Sequence, residues 1–304
     1  MHGPGAFLAE HSADIAARLD AVDRRPQVVL GTSEKMDVPA GSVHLIVTSP
    51  PYPMIEMWDG LFQEWTGRAP DDPLFYKACH RVLDRVWSEC ARVLAPGGIL
   101  ALNIGDAVRS VQEGFRLFPN HVHATEGCER AGLTPLVPIL WKKPTNKPNA
   151  FLGSGFLPPN AYVTLDCEHV LVFRKGEPRR FPPKDPLRYA SEISKAERDV
   201  WFSQVWDGVR GASQERSDLA RRTAAFPDEI PERLVRMFSV LGDTVLDPFA
   251  GTGTTLRAAA AWGRRPVGFE VEPDLRAALA DVRAPTGAEV VERLRAKYPL
   301  PPGP

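Results

Sequence analysis

Residues 243–274 read DTVLDPFAGTGTTLRAAAAWGRRPVGFEVEPD, and their order of elements decides the fold. A short apolar run ends at Asp247-Pro248, and a glycine turn follows it. The alanine-rich run Thr254–Trp262 reads as a helix, and Pro266–Glu270 reads as a second strand. Further out, SVHLIVTSPPYP gives a strand over Val43–Val47 that stops abruptly at prolines. Between Tyr76 and Leu94 the residues Val82, Leu83, Val86, Trp87, Cys90 and Val93 recur at three- and four-residue steps. That spacing predicts an amphipathic helix stopped by Pro96-Gly97-Gly98, with a strand over Ile99–Asn103 next. Further strands are expected within LTPLVPILWKKP and over His169–Phe173. A loosely helical pattern covers residues 7–19, and a helix restarts at Pro231 with Ile230, Leu234, Val235, Phe238 and Leu241 on one face. Strands alternating with helices predict an α/β fold built on a doubly wound, mostly parallel sheet.

The glycine turn carries chemistry. Gly251 and Gly253 allow a tight turn and close approach of a ligand to the backbone. Glu270 ends the next strand 17 residues after Gly253, where an acid suits both hydroxyls of an adenosine ribose. No GK[ST] follows the glycines, which excludes a phosphate-binding loop, and Leu256 stands where a dinucleotide site wants a third glycine. Asp247 would set an acid against a pyrophosphate but suits a cationic cofactor. S-adenosylmethionine, with a sulfonium and an ammonium group, fits on charge, and S-adenosylhomocysteine would be its product.

A second site is expected where Val47-Thr48-Ser49-Pro50-Pro51-Tyr52 leaves its strand. Two consecutive prolines stiffen the loop and remove two N–H donors. The Ser49 hydroxyl and Pro50 carbonyl can then accept from one external amino group, and Tyr52 offers a flat ring for a base to stack on. Holding the hydrogens of an exocyclic amine frees its delocalised lone pair for attack.

Composition bounds the partners. With 37 basic and 38 acidic residues the net charge is −1, so no global positive field advertises nucleic acid. The four cysteines form no CxxC pair, which argues against a zinc knuckle or a disulfide framework and for buried thiols in a reducing compartment. No secretory signal and no membrane-length apolar run is present, so the expected location is the cytoplasm, without a membrane partner. Thirty prolines mean long stiff loops.

With these motifs in order, the chain resembles the amino-methyltransferases that modify cytosine N4 or adenine N6, over roughly residues 28–280. TSPPY first and DPFAGTGTT last is similar to the beta arrangement of that family, and LDRVWSECARVLAPGGIL, ALNIGD, ILWKKP, EHVLVFRK and AAFPDEIPERLV are family-like pieces. The resemblance implies a Rossmann-like methyltransferase sheet of seven strands in one domain spanning 1–304. It has a catalytic half (28–173), a small variable segment for target recognition (174–225) and a cofactor-binding half (226–280). It implies catalytic roles for Ser49, Pro50, Pro51 and Tyr52. Asp247, Phe249, Gly251, Gly253, Thr254, Thr255 and Glu270 would hold S-adenosylmethionine, with Phe226-Pro227 closing over its methionine end and Asp106 nearby. The serine of SPPY points to cytosine N4, since adenine-N6 enzymes more often carry an acid there. DNA is the expected partner. A structured RNA such as ribosomal RNA is the alternative, because the variable segment is short and the net charge near zero. A homodimer is left open. A nicotinamide-dependent oxidoreductase and a non-catalytic nucleic-acid-binding protein are the competing classes.

Two basic clusters are candidates for phosphate contact: Lys142, Lys143 and Lys147, and Arg174, Lys175, Arg179, Arg180, Lys184 and Arg188. The aromatic-rich stretch PMIEMWDGLFQEW either caps a flipped base or docks on the core. His121 and His123 read as a surface pair lacking a third ligand, so no metal is expected.

Overall fold

The computed structural model describes residues 4–111, 114–143, 158–159, 161–209 and 227–299. Lys147 and Phe226 lie outside them. The strands are β1 (Gln27–Leu30), β2 (Val43–Thr48), β3 (Leu94–Ile104), β4 (Ala107–Val111), β5 (Gly114–Phe118), β6 (Thr134–Pro135), β7 (Ile139–Lys142), β8 (Cys167–Arg174), β9 (Val205–Trp206), β10 (Thr244–Asp247) and β11 (Arg265–Glu270). Nine of them form one sheet in the order β1-β11-β10-β2-β3-β8-β7-β9, with β6 also on β8, while β4 and β5 form a separate hairpin. The pairs from β1 through β3 are all parallel, so their carboxyl ends share one edge. β8 runs antiparallel to β3 and therefore starts at that edge. The sheet has nine described strands where the resemblance implied seven; β6 and β9 span only two residues each and β1 only four, too few for a strand period to show in the sequence.

Both faces are covered. On β3, Leu100, Leu102 and Ile104 enter one core with Trp87 and Phe62, whereas Ile99 and Ala101 enter the other with Leu8, Leu234 and Val290. The two-residue strand period and helices on each side produce this division. The expected amphipathic helix is Phe75–Val93, with Val82, Leu83, Val86, Trp87 and Cys90 all buried. The helix ends at Val93, ahead of Pro96-Gly97-Gly98, and the chain enters β3 already at Leu94. Leu94 pairs with Val43, the register shifts at the glycines, and pairing resumes at Leu45–Ile99. The glycines make a bulge within the strand rather than a gap before it.

One open alternative is decided by the structure, and elsewhere elements form that the sequence reading did not foresee. PMIEMWDGLFQEW forms a short 3-10 turn and the helix Asp59–Thr66, with Phe62 fully buried and Trp58 and Trp65 against the same core, so this stretch docks on the core. The polar stretch after Arg174 contains the helices Pro186–Ala190 and Lys195–Trp201 and strand β9, and Ala190, Trp206 and Val209 join the core. The helices Asn120–Arg130 and Gly287–Lys297 carry weak apolar patterns and were not foreseen. The chain has no helix long and apolar enough to cross a membrane among the described residues.

Candidate active site

β10 leads through the helix Thr254–Ala261 to β11 on one side of the sheet, while β2 leads to β3 on the other. The crevice between the carboxyl ends of β10 and β2 is thus the switch point where α/β sheets bind ligands. Thr48 at the end of β2 donates to Asp247 Oδ1 at the end of β10, at 2.7 Å. The Phe249 amide donates to the same oxygen at 3.0 Å. Burial pushes the Asp247 carboxyl up to about 6, against the lowering effect of these bonds. Asp247 therefore latches the two motif-bearing strands together as well as placing negative charge beside the turn.

The glycine turn behaves as its sequence demands. Gly251 and Gly253 have φ of +54° and +84°, the left-handed region that L side chains avoid. Glu270 Oε2 accepts from the Gly251 amide at 2.7 Å, and its Oε1 accepts from the Glu272 amide at 2.9 Å. Thr32, Glu34, Trp65, Phe249 and Glu270 line a narrow cleft here. A mouth with an acid, an aromatic ring and exposed turn backbone fits an adenosine-bearing cation. Thr254 and Thr255 are buried at the start of the following helix, Thr255 reaching the Val47 carbonyl at 3.4 Å, so they brace the turn from behind. Pro227 precedes the helix Glu229–Phe238.

On the other side of the crevice, Ser49 and Tyr52 fold onto each other, Oγ to phenol oxygen 2.9 Å. Pro50 and Pro51 between them are buried, and Met54 just beyond takes φ +66°, a strained value that fixes the loop's exit. The Tyr52 phenol donates to Glu168 Oε2 at 3.0 Å and accepts from Asn103 Nδ2 at 2.8 Å. Asn103 Nδ2 also donates to Glu168 at 2.7 Å, and the Lys143 ammonium donates to the other Glu168 oxygen. Burial and the neighbouring Glu168 push the Tyr52 phenol well above its usual range. Gly105 makes room for the ring, since a Cβ there would stand 2.9 Å from Tyr52 Cε2.

Glu168, Asn103 and Thr48 were not singled out from the sequence. Asn103 had a signal: a polar residue inside ILALNI, in a strand otherwise apolar, is 1 % exposed and must find partners. Glu168 had less, since only pairing of β8 against β3 brings it beneath Tyr52.

The structure redistributes several other residues. Asp106 bonds the ring and backbone of His121, and its neighbour Gly105 lies against the Tyr52 ring. Lys143 is tied to Glu168, Lys175 to the carbonyls of Arg92 and Leu94, and Arg179 to both Asp243 oxygens at 2.6 and 3.0 Å. These three cations are all engaged within the protein. Arg174 bonds the Gly176 carbonyl, and Arg188 sits over the Phe181 ring. Lys142, Arg180 and Lys184 are exposed. The cysteines are all free, Cys79, Cys90 and Cys128 being buried.

Comparison with known proteins agrees with this geometry. A family model described as DNA methylase, the N6/N4 type, matches residues 43–280. The type II methyltransferase M.MjaI of Methanocaldococcus jannaschii is 54 % identical over 267 residues, covering 82 % of this chain and 88 % of that protein. M.MthZI of Methanothermobacter thermautotrophicus is 46 % identical over 242 residues, covering 76 % and 68 %. Among solved structures, TTHA0409 of Thermus thermophilus, complexed with S-adenosyl-L-methionine, is 34 % identical with a TM-score of 0.65, covering 90 % of this chain and 94 % of that one. The cytosine-N4-specific PvuII DNA methyltransferase shares the fold, with a TM-score of 0.62 at 18 % identity over 90 % of this chain and 92 % of that one. The chain belongs to the N6/N4 DNA methylase family, and is a site-specific, S-adenosylmethionine-dependent DNA amino-methyltransferase.

Proposed function

We propose that the protein methylates the N4 amino group of cytosine in DNA, on a base swung out of the helix into the crevice beside Tyr52. The observation that carries this reading is the hydrogen-bond order around the Tyr52 phenol. Its one proton goes to Glu168, so Asn103 and Ser49 must both donate to its oxygen. The Ser49 proton is thereby committed, and its lone pairs are left to accept from an exocyclic amine. A neutral acceptor at this position suits the cytosine amine, whereas the family resemblance associates an acid there with adenine.

Each residue then has a task. Ser49 and the Pro50 carbonyl hold the amino hydrogens, which turns the nitrogen lone pair toward the cofactor. Tyr52, braced by Asn103, Glu168 and Gly105, stacks on the base, a contact worth roughly 1–3 kcal/mol. Extruding the base costs a few kcal/mol, so the stacking offsets much of that cost. S-adenosylmethionine, when bound, would supply an electrophilic methyl group for direct transfer to the nitrogen, the S–CH3 bond breaking to leave S-adenosylhomocysteine and one amino proton being released to solvent. Glu270 would accept from the ribose hydroxyls, Phe249 would pack beside the adenine, and Gly251 and Gly253 would admit the ligand to the backbone. Asp247 matches the cationic charge, and Pro227 would close over the methionine end. Orientation of this kind supplies about 7–11 kcal/mol of a barrier. No cysteine flanks the catalytic loop, so thiol attack on a ring carbon has no nucleophile there.

Incubation with radiolabelled S-adenosylmethionine and either genomic DNA or total RNA from a host lacking the enzyme tests this. Nucleoside digestion and mass spectrometry should find label in deoxy-N4-methylcytidine. Label in deoxy-N6-methyladenosine would overturn the reading of Ser49, and label confined to ribosomal RNA would overturn the choice of DNA.

A further inference from the structure

We propose that Asp106, His121 and His169 form a binding site for one divalent transition-metal ion of the zinc class. The three residues come from three elements: the turn after β3, the start of the helix Asn120–Arg130, and β8. One ligand atom from each falls within 4.8 Å of the others. Asp106 Oδ2 lies 2.7 Å from His121 Nδ1 and 3.9 Å from His169 Nε2. Ligand atoms bound at 2.0–2.1 Å in a tetrahedral shell stand about 3.3–3.4 Å apart, and the two observed distances bracket that value. Shifts of about half an ångström would seat an ion between them.

The environment suits a cation. Asp106 is 8 % exposed, while the two imidazoles stack face to face with centroids 4.0 Å apart and planes 11° from parallel. Two protonated rings so arranged would repel, whereas two neutral rings and a carboxylate around a dication satisfy one another. The Tyr76 hydroxyl is buried without a hydrogen-bond partner among the described residues, and burial together with the Asp106 charge raises its pKa. Side-chain exposures of 30 % for His121 and 21 % for His169 leave an entry path and a fourth coordination position. Imidazole nitrogens favour zinc, nickel or cobalt over magnesium and calcium. Asp106 adjoins Gly105, against which Tyr52 packs, and His169 adjoins Glu168, to which Tyr52 bonds. An ion here would pin the two backbone segments that shape the Tyr52 pocket.

The test uses the full chain stripped with chelator and titrated with Zn2+ by calorimetry, alongside Co2+ followed by visible absorption. One equivalent should bind, with the intense cobalt bands of a four-coordinate site and a rise in melting temperature. Binding should weaken at least ~10-fold in both His169→Gln and Asp106→Asn, a loss no smaller than outer-shell changes typically cause. His123→Ala should keep the site, since His123 faces Tyr76 and His80 instead. No binding to the wild type, a pale six-coordinate cobalt spectrum, or equal affinity in wild type and His169→Gln would each overturn the proposal. The wild-type stoichiometry and cobalt spectrum stand even where a variant fails to fold.

Discussion

The Tyr52 phenol and the Glu168 carboxylate, 116 residues apart in the chain, meet at 3.0 Å beneath the catalytic loop. That bond orients the loop, because it decides which way every neighbouring hydroxyl and amide proton points. Tyr52→Phe keeps the stacking ring but frees Ser49 to turn its proton elsewhere. Methylation should fall about 10-fold or more, in line with roughly 1.5–3 kcal/mol for a hydrogen bond to a charged group, while S-adenosylmethionine affinity stays unchanged. Steady-state methylation and calorimetry read the two quantities separately; equal loss of both would sink the division between catalytic and cofactor halves.

Gly105→Ala pushes on the same ring from behind. The new Cβ would sit 2.9 Å from Tyr52 Cε2, and the ring must shift by several tenths of an ångström. A displacement approaching 1 Å can cost about 100-fold in rate, so kcat should drop far more than melting temperature. Unchanged kcat would show that the ring has slack.

Glu270→Ala removes the acceptor held at the mouth of the glycine turn by the Gly251 amide. S-adenosylmethionine binding should weaken about 10- to 100-fold, the range for losing charge-assisted hydrogen bonds. Calorimetry that finds wild-type affinity would remove Glu270 from the ribose.

Asp247 makes cofactor binding pH-dependent. Its folded value of about 6 lies above that of a free carboxyl, so the carboxylate form is the disfavoured one inside the protein. Its contribution to stability is therefore fullest below the ordinary carboxylate range and is lost as pH rises through about 6. A cationic ligand reverses the preference, so S-adenosylmethionine affinity should decline as pH falls below about 6, with proton release on binding. Calorimetry between pH 5 and 7.5 in buffers of different ionisation enthalpy checks this, and an affinity flat across that window would mean that Asp247 serves only the Thr48 latch.

Arg179→Ala separates structure from nucleic-acid contact. The guanidinium grips Asp243 with two bonds, Asp243 being 4 % exposed. Thermal stability should fall by about 1–3 kcal/mol, while the salt dependence of DNA binding keeps its slope. A slope reduced by about one would return Arg179 to the phosphate contacts.

The sequence by itself determined the sheet type, the cofactor and the two motif loops. Local physics suffices for these: Gly251 and Gly253 are needed for positive φ, Pro50 and Pro51 stiffen a strand exit, and Val82 through Val93 repeat at helical spacing. A strand of four residues such as β1, or of two such as β9, is too short for a period to emerge, and only pairing with β11 and β7 stabilises them. Charge is visible in a sequence while its partner is not, so the internal pairing of several cations in the basic clusters could not be read from it. Asp243 lies 64 residues from Arg179, and Glu168 lies 25 from Lys143. Tertiary structure alone decided the support beneath Tyr52 and the meeting of Asp106, His121 and His169. Both depend on β8 entering antiparallel beside β3, which sets Glu168 and His169 on opposite faces of one strand at the edge where the site forms.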